Sequence, residues 1–80
     1  MKTFISSATA FYILAPGEKL SRGKMNPDIS RMYVIYQDNL IWTYRYKWIN
    51  GWEKPTDDVF STENDALNSA YDHFLLSKIQ

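Results

Sequence analysis

The middle of the chain alternates between two kinds of side chain. In residues 40–49 (LIWTYRYKWI), Trp or Tyr occupies every second position from residue 42, and Thr, Arg and Lys lie between them. Successive side chains of a β-strand point to opposite faces of a sheet, so this period of two predicts a strand. One face would carry aromatic rings and the other basic groups.

Two further strands are predicted beside this one. Residues 31–37 are rich in β-branched and aromatic side chains, and the Asp-Asn pair at 38–39 offers a turn before residue 40. The Asn-Gly pair at 50–51 is a strong hairpin signal, because both residue types accept positive φ. A third strand is predicted over residues 52–60. Pro55 cannot donate a backbone hydrogen bond, so this strand should be an edge or be broken.

The end of the chain has the period of a helix. A helix is predicted over residues 62–79, with Thr62 as the N-cap and acidic residues in the first turn, where the helix dipole favours negative charge. Asn68, Ser69, Asp72 and His73 are predicted to lie on the opposite face, toward solvent. The spacing of three and four residues places the apolar side chains on one face: Ala66, Leu67, Ala70, Tyr71, Phe74, Leu75 and Ile79.

Residues 3–14 fit two patterns, since a helical stripe and a strand over 10–14 are both present. We favour the strand. Residues 15–30 (APGEKLSRGKMNPDIS) contain two Gly and two Pro and are predicted to form a long loop. The chain is therefore expected to be α+β: a three- to four-stranded antiparallel meander with one C-terminal helix packed on one face.

Composition limits the size of the fold and the class of site. Eighty residues leave room for one domain, spanning residues 1–80. The chain has no cysteine, which excludes disulfides and thiolate metal ligands and fits a reducing compartment, so a cytoplasmic location is expected. The apolar run near the N-terminus is too short for a signal peptide, and no stretch approaches the ~20 residues that cross a bilayer.

The net charge is zero, but the charges are divided between the two ends of the chain. Residues 1–54 carry eight Lys and Arg against four Asp and Glu, whereas residues 55–80 carry one against five. A basic and an acidic surface are therefore expected.

Catalytic patterns are missing from the sequence. His73 is the only histidine, and neither a metal site nor a general base can be assembled around it from the residue pattern. The paired aspartates 57–58 fall in a predicted loop, and the three glycines form no phosphate-binding motif. We expect a protein that is not an enzyme and that needs no cofactor or metal.

The two faces of the sheet should have different partners. The aromatic face (Trp42, Tyr44) suits the small alanines of the helix, because burying Arg45 and Lys47 beneath the helix would be costly. The other face would stay open and present Arg45 and Lys47 beside Tyr36, a mixture typical of protein interfaces. We therefore predict that a partner binds Tyr36, Arg45 and Lys47. The exposed acidic residues Asp65 and Asp72 of the helix are a second candidate contact.

These observations favour a small non-catalytic protein-binding module. In size and general character the chain resembles the small orphan proteins of phages and mobile elements, including anti-restriction and anti-CRISPR inhibitors. The resemblance implies an inhibitor or modulator that occupies a surface of a larger protein or nucleoprotein complex. A free sheet face or edge could also pair two copies as a homodimer.

The alternative is a nucleic-acid-binding domain. The stretch LIWTYRYKWING, followed by VFSTENDAL, is similar to the three-strand-plus-helix arm-type domains of phage integrases, whose sheet enters the major groove. The resemblance covers about residues 31–76, including the helix entry with Phe60, Thr62 and Ala66. The acidic helix and the zero net charge depart from that pattern, because nucleic-acid affinity depends on clustered positive charge.

Overall fold

The computed structural model describes residues 1–21, 23, 25, 29, 31–47, 51–54 and 58–79. These described residues form one five-stranded sheet and one α-helix, so the α+β class is confirmed. The strands lie side by side in chain order, and β2 runs parallel to β3 whereas every other neighbouring pair is antiparallel. The sheet is therefore mixed, and the prediction of a wholly antiparallel meander of three to four strands is wrong. The elements are β1 (Lys2–Ser6), β2 (Thr9–Ile13), β3 (Arg31–Asp38), β4 (Ile41–Lys47), β5 (Trp52–Glu53) and α1 (Glu63–Ile79).

The N-terminal residues form a hairpin of β1 and β2. Phe4 pairs with Phe11, and the two-residue turn at Ser7 and Ala8 has φ of 49° and 61°. Positive φ at both central positions is the geometry of a tight hairpin turn, which Asn and Gly favour. The predicted strand over 10–14 thus corresponds to β2. Strand β1 was not predicted, because Ser7 and Ala8 are not the Asn, Asp or Gly that usually mark a hairpin turn with positive φ.

The parallel pairing of β2 and β3 requires the chain to return along the sheet before β3 begins. Residues 14–30, here called the crossover segment, make this return, and no α-helix is found among the residues of the segment that the structure describes. The segment starts with a turn in which Glu18 N donates to Ala15 O at 2.9 Å, with Pro16 and Gly17 (φ 81°) at the centre. Proline followed by a positive-φ glycine is characteristic of a type II turn.

The crossover segment covers part of the sheet face opposite the helix. Leu20, Met25 and Ile29 pack on the buried side chains of Ala10, Tyr12 and Met32. We expected this face to be open, and that expectation is wrong over β2 and the start of β3. The physical reason is that a parallel connection must cross one face of the sheet, and α1 already occupies the other.

The hairpin of β3 and β4 keeps the predicted faces but has a different register. A two-residue turn at 38–39, as predicted, would pair Ile35 with Trp42. In the structure Ile35 pairs with Tyr44, and the turn falls at Asn39 (φ 60°) and Leu40. The shift is two residues along the strand, and a shift of two returns each side chain to the same face. The aromatic and basic faces are therefore as predicted.

The connection from β4 to β5 is longer than the predicted hairpin. Lys47 pairs with Trp52, so four residues separate the partners and the expected two-residue turn at 50–51 is wrong. Residues 48–50, on which part of that prediction falls, lie outside the described residues. The third strand is broken: β5 covers two residues, and the chain returns to β4 at Phe60, which exchanges backbone hydrogen bonds of 2.7 and 2.9 Å with Trp42.

The helix begins at Glu63, and Thr62 caps it by accepting a hydrogen bond from Asp65 N at 3.1 Å. Helix α1 lies on the aromatic face of the sheet, as predicted. Trp42 and Tyr44 are buried there with the small and aromatic side chains of the helix. The buried residues of this core are Phe11, Ile13, Tyr33, Ile35, Trp42, Tyr44, Ala66, Ala70 and Phe74.

Candidate functional site

A groove runs between the crossover segment and the face of β3 and β4 that lies opposite the helix. Its apolar end has a volume of about 260 Å³. Tyr36 and Arg45 lie at the junction where this apolar end meets the more polar end of the same groove. The apolar end is otherwise lined by Leu14, Leu20, Met25, Val34 and Trp52.

The polar end of the groove has a volume of about 470 Å³. It shares Leu14, Leu20, Tyr36 and Arg45 with the apolar end and is otherwise lined by Gly17, Glu18, Lys19, Gln37 and Asp38. The groove therefore has an apolar and a polar half, and Arg45 lines both.

Tyr36 and Arg45 are held together at this junction. Arg45 Nε donates to the Tyr36 hydroxyl at 2.9 Å. Val34 pairs with Arg45 and Tyr36 with Thr43, so Tyr36 and Arg45 are diagonal neighbours on adjacent strands, within reach of long side chains. Arg45 is exposed and Tyr36 is half-buried. Within the described ranges no carboxylate forms an ion pair with Arg45, and the terminal N–H groups of a guanidinium can donate two hydrogen bonds to a carboxylate of a partner.

The other predicted contact residues lie elsewhere. Lys47 is on the same face as Arg45, half-buried and opposite Trp52, but it does not line the groove described above. Asp65 and Asp72 are exposed on α1, which covers the opposite face of the sheet. The five predicted residues therefore form two surfaces on two different layers, and Tyr36 and Arg45 are the pair that the groove brings together.

The apolar wall of the groove was not predicted from the sequence. Leu20 and Met25 come from a stretch that is otherwise polar, and Trp52 follows the Asn-Gly pair. The sequence signal that could have indicated this wall is the presence of single apolar residues in a sixteen-residue loop. A loop that crosses a sheet buries apolar side chains against it.

A second cluster of polar side chains lies between α1 and the sheet. His73 Nδ1 is 2.6 Å from the Tyr33 hydroxyl, its ring centroid is 4.9 Å from that of Tyr46, and Ser69 Oγ donates to the Tyr44 hydroxyl at 3.3 Å. Ser69 and His73 are half-buried, so the prediction that they face solvent is wrong. Ser69 and His73 directly precede Ala70 and Phe74, which are buried on the inner side of the helix. Tyrosine hydroxyls of the sheet provide their polar partners there.

Burial sets the protonation of this cluster. Desolvation lowers the pKa of His73 and raises that of Tyr33, because burial disfavours the charged form of each group. A neutral imidazole with its proton on Nε2 accepts a hydrogen bond at Nδ1 from the Tyr33 hydroxyl. The pair therefore ties the helix to the sheet as two neutral groups.

Two further observations concern the described residues alone. Within the ranges given above, no three His, Asp or Glu side chains lie close enough together to hold a metal ion. In the same part of the chain, no helix has both the length and the apolar composition needed to cross a membrane.

No protein-family model, curated protein sequence or solved structure matches this chain significantly. Support for a function therefore comes from the geometry of the groove.

Proposed function

We propose that this chain is a small, non-catalytic protein-binding module and that its binding surface is the groove at Tyr36 and Arg45. The observation that carries the proposal is an exposed arginine, oriented by a tyrosine hydroxyl at 2.9 Å and without an ion-pair partner in the described part of the chain, beside an apolar cleft. Arginine, tyrosine and tryptophan are the residues that most often dominate binding energy at protein interfaces.

The open shape of the groove favours a side chain of a partner over a small molecule. Sites for small molecules and cofactors bury most of the ligand surface, whereas both ends of this groove are open to solvent, and the apolar end has a volume of about 260 Å³. It suits one apolar side chain. A partner that inserts such a side chain beside Trp52 and Met25 brings its neighbouring residues to Arg45.

The chemistry of Arg45 indicates which residue of the partner should adjoin the inserted apolar side chain. The guanidinium of Arg45 binds a carboxylate with more than one hydrogen bond when its N–H groups are available. The groove therefore fits a partner segment in which an acidic residue adjoins an apolar one. In this proposal the module occupies that segment on a larger protein or nucleoprotein complex and inhibits or modulates it, in the manner of the anti-defence proteins of phages and mobile elements.

The test compares variants in affinity capture from the native host, followed by measurement of the dissociation constant for the recovered partner. Arg45→Ala combined with Tyr36→Ala should weaken binding by about 2 kcal/mol or more, roughly 30-fold, with little change in melting temperature. Arg31→Ala is the matched control, because Arg31 is exposed on the helix side of the sheet. Equal binding by both variants, or no stoichiometric partner at all, would contradict the proposal.

Nucleic-acid binding is the second candidate function. Arg45 and Lys47 share one sheet face with Tyr36 and Trp52, and basic groups beside aromatic rings are typical of single-strand binding surfaces. The crossover segment, however, covers β2 and the start of β3 on this face, which leaves a narrow basic strip. A gel shift at low salt with single- and double-stranded probes tests this function, and an unretarded probe would exclude it.

A further inference from the structure

Strand β1 forms one edge of the sheet, and one side of its backbone faces no other strand of the sheet. Natural proteins usually protect such an edge with charged side chains, especially lysine, with proline or with a bulge. Here the charge is confined to Lys2, at the first position of the strand. The five residues pair with β2 without interruption, and they include the exposed apolar side chains of Phe4 (37%) and Ile5 (54%). The edge is therefore suited to pairing with a further strand.

A row of stacked rings ends at this edge. Phe4, Phe11, Tyr33 and Tyr46 are directly opposite one another on adjacent strands. The ring centroids of Phe4 and Phe11 are 4.6 Å apart at 6°, and those of Phe11 and Tyr33 are 5.0 Å apart at 5°. At the far end Tyr46 donates a hydrogen bond of 2.6 Å to Glu53. The β1 end is the one that exposes a ring for further stacking.

We propose that two copies of this chain pair through β1, antiparallel and centred on Phe4, to form one continuous ten-stranded sheet. In this register Phe4 faces Phe4 of the second copy, so the row of rings continues across the dimer axis. Such an interface is self-complementary and closes as a twofold dimer. This proposal does not depend on the function of the groove.

The side chains of β1 favour this arrangement over a parallel one. About the centre at Phe4, Lys2 faces Ser6 and Thr3 faces Ile5 of the second copy, so no like charges are opposed. A parallel, in-register pair would place Lys2 opposite Lys2, which is unfavourable.

The first experiment measures the oligomeric state of the full chain by sedimentation over a range of concentrations. The wild type should show a monomer–dimer equilibrium. Ile5→Lys should raise the dimer dissociation constant by at least about tenfold, because it places two added charges near the axis. Leu40→Lys is the matched control, since Leu40 is 88% exposed in the turn between β3 and β4, and it should leave the dimer unchanged.

The second experiment tests the register by disulfide trapping, since the native chain has no cysteine. A mixture of Thr3→Cys and Ile5→Cys chains should form a cross-linked heterodimer under mild oxidation, because directly opposed Cα atoms lie about 4.5–5.5 Å apart, within disulfide range. Each variant alone should remain uncross-linked. Self-cross-linking of Thr3→Cys would overturn the proposed register. A wild type that stays monomeric at all concentrations, or a dimer unaffected by Ile5→Lys, would overturn the proposal.

Discussion

Trp42 contributes the bulkiest side chain to the core between helix and sheet, and its backbone also pairs with Phe60. Trp42→Ala should therefore destabilise the fold by about 3–5 kcal/mol, through lost burial and a residual cavity. A domain of this size has a total stability of only about 4–12 kcal/mol, so much of the variant should be unfolded. Chemical denaturation measures the loss. Trp52→Ala, which removes the same side chain from an exposed position, should cost about 1 kcal/mol, and equal losses would contradict this assignment.

His73 makes the stability of the fold depend on pH. Because burial lowers the pKa of His73 in the folded state, the unfolded chain takes up a proton first as the pH falls through about 6.5. Stability is therefore full above that pH and declines below it. Denaturation at pH 7.5 and at pH 5.5, above the ordinary pKa values of carboxylates, should show this loss in the wild type and a smaller loss in His73→Gln. Equal pH dependence of the two proteins would show that His73 is not responsible.

At the scale of elements, the β1–β2 hairpin contains a local conflict between residue type and backbone. Ser7 and Ala8 both adopt left-handed φ, which costs a residue with a Cβ about 1–2 kcal/mol. Ser7→Asn with Ala8→Gly should stabilise the fold by about 1 kcal/mol, since these residues favour such a turn. Thermal denaturation measures the gain. Ala15→Gly, at a position without positive φ, is the control and should destabilise, and a loss in both proteins would contradict the turn geometry.

The crossover segment covers part of the sheet face opposite the helix and forms one wall of the groove on the rest of that face. Its apolar side chains cover β2 and the start of β3, while Leu14 and Leu20 also form a wall of the groove. The binding surface proposed here therefore belongs to no single hairpin. It exists because a polar-looking loop packs against a sheet that already has a helix on its other face.

At the scale of the whole molecule, the predicted acidic and basic contact residues lie on opposite layers of the fold. Asp65 and Asp72 are exposed on the helix layer, and Arg45 is exposed on the opposite sheet face. A partner that contacts both must reach around the sheet. We propose the acidic face as a second contact surface. Because the two surfaces are separate, Asp65→Lys with Asp72→Lys should weaken binding additively with Arg45→Ala.

The measurement is the dissociation constant of each variant for the captured partner, after circular dichroism has shown that the double variant is folded. Asp65 lies in the first turn of the helix, so its reversal should cost stability of up to about 1 kcal/mol through the helix dipole. Unchanged affinity in the folded double variant would remove the helix from the interface.

The order of the strands places the proposed dimer edge and the proposed binding groove at opposite sides of the sheet. Strand β1 lies at one edge of the sheet and β5 at the other, and the groove adjoins β4 and β5 through Arg45 and Trp52. A dimer formed through β1 would keep both grooves accessible, and it could therefore bind two sites on one target with increased avidity.

The sequence by itself determined the features that depend on local periodicity. The alternation along residues 41–47 fixed which side chains of β4 share a face, and this result survived a two-residue change in register because the side-chain period of a strand is also two. Thr62 marked the start of the helix, since a cap depends on residues within one turn. The small alanines at 66 and 70 marked the side of the helix that packs on aromatic rings. These predictions required no knowledge of distant residues.

Only the tertiary structure decided which strands became neighbours and what covered each face. Nothing within residues 9–13 or 31–38 shows that these strands pair in parallel, because that choice depends on contacts about twenty residues apart in the chain and on the side of the sheet that the helix leaves free. The same choice sends the crossover segment over the second face, buries Met32 and builds the apolar wall beside Tyr36 and Arg45. The inward position of His73 also depended on tyrosine hydroxyls supplied by β3 and β4, since a polar side chain can turn toward a core when a partner from another element accepts or donates its hydrogen bond.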